Sequence, residues 1–201
     1  MKISLNQGRL GLGARNELAR QLVHLMLGLL IIAGLLLLWK LTHGWQFIAV
    51  FVTWVVFILF CALIYLIARG AKTPFNSWFE FMGKRDDFIG EGALWYLLGL
   101  MITLSFLDRF LYIISTIYIL SVGDSISTIF TYKKKYEYSF FKGRNWASYL
   151  AFIAFTLPIS ILMGVKAIPL IILCAVIESL DLKINDNFLI PLVCVIYLLV
   201  V

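Results

Sequence analysis

Charge is scarce in this chain, and the places that lack it are the most informative. Asp, Glu, Lys and Arg make up 14% of the 201 residues, against about a quarter in an ordinary soluble domain. The runs Leu22–Trp39 and Trp45–Ile67 contain none of the four. Each holds about the 20 apolar residues needed to cross a bilayer core. With 62% hydrophobic residues and a mean hydropathy of +0.97, the composition excludes a soluble globular domain. Cysteine is also rare. Cys61, Cys174 and Cys194 all fall inside apolar runs without metal-ligand spacing, so they read as small hydrophobes in helices. Neither G-x-x-x-x-G-K-[ST] nor G-x-G-x-x-G occurs, which removes the familiar soluble nucleotide-binding folds. The apolar run after the basic first 21 residues has no small-residue cleavage site, so it reads as a retained span. No repeat, low-complexity tract or soluble boundary divides the chain, which reads as a single membrane domain over 1–201.

What is present is a series of apolar segments separated by basic ones. The expected fold is an all-α, polytopic transmembrane helix bundle of about seven spans, near 22–39, 45–67, 88–107, 109–132, 147–164, 166–178 and 187–201. The sixth is short for a full crossing. In this arrangement 14 of the 17 Lys and Arg fall on one side, and only Lys40, Arg109 and Lys166 on the other. The positive-inside bias puts the N-terminus and the second, fourth and sixth loops in the cytoplasm. The net charge of +6 then reflects basic loops facing anionic lipid, and no nucleic-acid partner is expected.

Against this background the acids stand out. Asp124 lies nine residues before Lys133, about 13 Å along a helix. At that depth an unpaired acid costs roughly 2.5–3.5 kcal/mol or more. Either the helix runs through Asp124 and the acid has a partner, or it ends at Gly123 and Asp124 caps it in a solvated loop. Glu178 closes one apolar segment, and Asp186 and Asn187 open the next. On the same expected side lies 133-KKKYEYSFFKGRNWAS-148, whose Lys135, Lys142 and Arg144 can serve topology alone or also grip phosphates. Acids beside phosphate-binding cations fit a Mg²⁺ held by one or two carboxylates, waters and phosphate oxygens. Solvated turn caps are the plainer account of the same residues. Glu17, Arg20 and His24 share one face of the opening helix, which Gly28 extends.

These segments, in order, resemble the CTP-dependent lipid kinases that include dolichol kinase, phytol kinase and the yeast-type diacylglycerol kinase. The likeness is most specific in 178-ESLDLKINDNFLIPL-192, similar to that family's Glu-x-Leu…Asp-Asn-(x)₂-Ile-Pro-Leu block. Gly123-Asp124, the basic segment from Lys142 and the opening helix with Glu17, Arg20 and His24 match other family features. The chain departs from the pattern at Thr131, Ala147 and Ser148. The resemblance implies an enzyme that transfers phosphate from CTP to the hydroxyl of a membrane lipid alcohol: polyprenol or dolichol, phytol or geranylgeraniol, or diacylglycerol. It further implies Asp124, Asp186 and Glu178 as catalytic acids, the first two holding Mg²⁺. Lys142, Arg144, Lys135, Asn187 and Gly123 would bind nucleotide, and His24, Arg20 and Glu17 would support substrate. The site would face the cytoplasm from the cell membrane or the endoplasmic reticulum. A CDP-lipid-forming cytidylyltransferase and a non-catalytic membrane homologue remain as alternatives.

Overall fold

Every regular element described in the computed structural model is helical, as a chain of long apolar runs with few turn residues requires. The structure describes residues 4–74, 90–131, 146–180 and 184–201, and for 4–17 the helical backbone alone. The helices are α1 (Ser4–Leu41), α2 (Trp45–Ala68), α3 (Glu91–Phe106), α4 (Phe110–Tyr118), α5 (Asp124–Thr131), α6 (Trp146–Thr156), α7 (Ile159–Met163), α8 (Ala167–Ser179) and α9 (Asp186–Val200). A π-helical segment, Ile119–Gly123, joins α4 to α5 without a break. Four stretches are long and apolar enough to cross a membrane: Leu18–Leu41, Trp45–Ala68, Phe110–Thr131 and Ile159–Ser179. The apolar helices α3, α6 and α9 are shorter than that.

Local chemistry sets the ends. The three residues 42–44 turn α1 back into α2. Leaving α2, Gly70 takes φ +84°, while Gly70 N–H bonds the Ile67 carbonyl and Ala71 N–H that of Leu66. Those two bonds make a Schellman cap, which a glycine forms without strain. From α2, Gln46 Nε2 donates to the carbonyls of Leu104 (2.9 Å) and Leu107 (2.6 Å), capping the end of α3.

The expected fifth and sixth spans divide differently from the sequence reading. The expected boundary lay between 164 and 166, but α6 already stops at Thr156, ahead of Leu157-Pro158. Proline has no N–H to continue the ladder and disfavours helix at the residue before it. The chain bends again at Gly164, with φ +69°. Lys166 Nζ then donates to the Val201 carbonyl (2.7 Å), and Tyr197 Oη to the Lys166 carbonyl (2.9 Å). Residues 159–166 therefore lie level with the C-terminal end of α9.

The bundle consequently has two distinct ends. Trp39 and Trp45 both pack on Phe110, and α4 packs on α7, which gathers the 42–44 turn, the 107–109 connection and residues 159–166 at one end. Arg20, the start of α3, α5, the end of α8 and the start of α9 gather at the other. The span Phe110–Thr131 is the central element, with 78% of its most apolar window buried against 11% for each of the first two spans. α9 packs along α3, and α5 along α6 and α1.

Candidate functional site

The helix runs through Asp124, continuing from Phe110 by way of the π segment to Thr131. That decides between the two readings of Asp124, whose side is buried in the bundle and not turned out as a cap in a solvated loop. π segments insert a residue and re-aim the side chains after them. At the far end of the bundle α8 closes with Glu178, 3% exposed. α9 opens with Asp186, under an N-cap in which Asn187 N–H donates to Asn185 Oδ1 (3.1 Å).

The three acids meet. One carboxylate oxygen from each of Asp124, Glu178 and Asp186 can be chosen so that all lie within 4.8 Å of one another. Carboxylates packed this closely repel, and burial removes the water that would screen them. A hard divalent cation offsets both costs. Oxygens bound to one Mg²⁺ or Ca²⁺ stand about 2.0–2.6 Å from the ion, hence about 3–5 Å from one another. The donor set and spacing fit such an ion. The first turn of α9 adds the positive end of its dipole beneath Asp186.

Hydroxyls and amides support the acids. Ser127 Oγ lies 2.9 Å from Glu178 Oε1 and 3.0 Å from the Asp124 carbonyl, donating its proton to one of them. Ser125 Oγ donates to the Gln21 carbonyl (3.1 Å), which ties α5 to α1. Asn187 Nδ2 donates to the Gly92 carbonyl (3.1 Å), while its Oδ1 is buried with no hydrogen-bond partner among the described residues. A Cβ placed on Gly92 would lie 3.7 Å from Asn187 Nδ2 and 3.9 Å from Arg20 Nη1, so Arg20 reaches the rim of the acid site. His24 Nε2 faces Asp124 Oδ2 at 3.7 Å.

Of the residues singled out in the sequence, the structure brings together Asp124, Glu178, Asp186, Asn187, Arg20 and His24. Gly123 is buried in the π segment, where a Cβ would run into the Phe152 ring. Lys135, Lys142, Arg144 and the side chain of Glu17 lie outside the described residues. Thr131 Oγ1 donates to the Ser127 carbonyl one turn back (2.9 Å), and Ser148 lines a narrow crevice with Ser127, Ser179 and Glu178. Sequence reasoning missed Ser127, Tyr96 and Ser121. The density of hydroxyls in 124-DSISTIFT-131 was an available signal for Ser127 alone.

Among curated proteins the chain is similar to an uncharacterized protein of Methanocaldococcus jannaschii, with 27% identity over 180 residues covering 88% of this chain and 90% of that protein. No family model matches the chain, and no solved structure matches it.

Proposed function

We propose that this protein is a membrane-embedded kinase that transfers the γ-phosphate of CTP to the hydroxyl of a lipid alcohol in a Mg²⁺-dependent reaction. The observation that carries the reading is the meeting of Asp124, Glu178 and Asp186 from three separated helices. Phosphoryl transfer asks a protein chiefly for positioning and charge neutralisation, together with a group that orients or deprotonates the acceptor hydroxyl. Asp124 and Asp186 would hold the cation, with Glu178 beside them; when bound, Mg²⁺ supplies positive charge against the phosphate oxygens. An oxygen of Asp124 or Asp186 that does not bind the ion orients the acceptor hydroxyl and takes its proton. Lys142, Arg144 and Lys135 grip the polyphosphate, assisted by Arg20 at the rim and Asn187 beside Asp186. CTP, rather than another nucleotide, comes from the family resemblance alone.

In this reading the bundle crosses the bilayer seven times: α1, α2, α3, Phe110–Thr131, α6, Ile159–Ser179 and α9. The N-terminus and the acid end face the cytoplasm. Among the described cations, Arg20, Arg69 and Lys72 stand toward the acid end, and Lys40, Arg109 and Lys166 toward the other. That split is even, so the orientation rests on the basic segments read from the sequence. The acceptor's apolar tail stays in lipid between helices, and its hydroxyl alone must reach the acids.

CTP labelled at either the α- or the γ-phosphate tests the proposal. A kinase delivers only the γ label to lipid. Delivery of the α label with release of pyrophosphate would replace the proposal with a cytidylyltransferase, and delivery of neither would leave a non-catalytic homologue. Lys142→Ala is expected to raise the KM for nucleotide more than that for lipid.

A further inference from the structure

Tyr96, on α3, belongs to no motif in the sequence, yet His24 rests on its ring. The two rings meet edge to face with centroids 4.8 Å apart. Tyr96 is 3% exposed, and its Oη lies 3.2 Å from Ser121 Oγ in the π segment. A buried tyrosine hydroxyl takes such a partner, and the bond fixes the ring's pose. Gly28, one turn beyond His24 on α1, leaves room for this pair: a Cβ there would overlap Ser121 Oγ and lie 3.4 Å from Tyr96 Oη. On its other side, His24 Nε2 is buried without a hydrogen-bond partner among the described residues, 3.7 Å from Asp124 Oδ2. That separation is longer than a hydrogen bond. The imidazole also donates to the Leu120 carbonyl, so it is kept on the carboxylate by that bond together with the tyrosine ring packed behind it. Ser121 and Asp124 stand three residues apart, so the π segment sets both ends of the arrangement.

We propose that Tyr96 is a positioning residue for the acid site: anchored by Ser121, its ring holds His24 Nε2 against Asp124. The inference rests on the reading of Asp124 as a site acid. Loosening the tyrosine leaves the imidazole held by the Leu120 bond alone and free to tilt. Asp124 then loses a fixed neighbour at Oδ2, while Thr128 Oγ1 stays at Oδ1.

The full-length protein in detergent, carrying isotope-labelled histidine, provides the test. The chain has two histidines, and the second, His43, lies exposed on the 42–44 turn, where it serves as an internal reference. Asp124→Asn is expected to move the His24 ring resonances and leave those of His43 in place. Tyr96→Leu moves them in any case by removing a ring 4.8 Å away. Tyr96→Phe and Ser121→Ala, which keep an aromatic ring there, therefore carry this readout and are expected to move them part of the way. In transfer assays Tyr96→Leu should lower kcat by between about tenfold and a hundredfold, the scale of a small misplacement, with the nucleotide KM nearly unchanged. If Tyr96→Leu does not fold, Tyr96→Phe and Ser121→Ala decide by the same readouts. Wild-type His24 resonances in these folded variants would overturn the inference, as would a lowered unfolding temperature with unchanged resonances and kcat. A wild-type protein that transfers no phosphate defeats the kinase reading instead, and the resonances still report whether Tyr96 holds His24.

Discussion

Asp124, deep in the central helix, and Asp186, at the first turn of the last one, bring carboxylate oxygens within 4.8 Å of each other. Between them the sequence places the basic segment 133–148 and then the apolar segments that end in a third acid, Glu178. Three acids at one end of a bundle of apolar helices repel one another and are costly to bury, a cost that a positive charge among them would offset.

The acid cluster makes a prediction about stability whose sign depends on the cation. Without divalent ions, Asp186→Asn removes a like charge and should raise the unfolding temperature in detergent. Adding Mg²⁺ to 100 times its Kd should stabilise the wild type by about 2.7 kcal/mol, and the variant by much less. An equal Mg²⁺ response in both would remove Asp186 from the binding set.

Ser127 offers a hydroxyl to buried Glu178. Ser127→Ala takes away that donor, and a buried group left less satisfied costs about 1–3 kcal/mol. Ser160, half-buried and away from the acids, with its hydroxyl donating to the Leu157 carbonyl one turn back, supplies the control, with Ser160→Ala expected within roughly 0.5 kcal/mol of wild type. Denaturant titration of both variants in the same detergent measures the contrast.

Two helix glycines should respond with opposite signs. A Cβ on Gly99 would lie 2.5 Å from the Asn187 carbonyl and 2.7 Å from Pro191 Cγ. Pro191 lacks the N–H that would have bonded that carbonyl, so the first turn of α9 sits directly on α3. Gly99→Ala should therefore cost about 1–3 kcal/mol by overpacking. Gly34 has nothing within 4 Å, and Gly34→Ala should gain up to about 1 kcal/mol from helix propensity. Thermal unfolding of the two variants reads out the difference.

The packing of α8 on α9 can be checked chemically. Cys174 Sγ and Cys194 Sγ lie 3.5 Å apart and are both buried. A membrane-permeant thiol oxidant should join them within one chain, with loss of two hydrogens by mass spectrometry, and leave Cys61 alkylatable. Protein in which Cys174 pairs with Cys61 instead would contradict the helix arrangement.

Much of the helical layout was legible in the sequence because charge and proline are costly in apolar helices. The expected span 45–67 became Trp45–Ala68, 109–132 became Phe110–Thr131, and 187–201 became Asp186–Val200. The division of 147–178 was not legible. Hydropathy treats 147–164 as one run, and Lys166 looked like a loop residue, whereas Pro158 ends α6 and Lys166 reaches along the surface to Val201. Asp124, Glu178 and Asp186 were visible because an acid in an apolar run needs a reason. Tyr96 was not, being one aromatic among many in apolar segments. Nor were Ser121 and Ser127, since serine and threonine hydroxyls bond the preceding turn of their own helix in many positions, as Thr103 and Thr156 do here. Nothing in their spacing separates those that face a carboxylate.

The central claim is that these converging acids serve phosphoryl transfer. Its most direct test incubates purified wild type, Asp124→Asn and Asp186→Asn with γ-labelled CTP, Mg²⁺ and a panel of lipid alcohols, then counts label in the lipid phase. The account predicts label in one lipid with the wild type, abolished by chelation and by either substitution while protein level and detergent behaviour hold. Label transferred equally by Asp124→Asn, or by the wild type without a divalent ion, would contradict it.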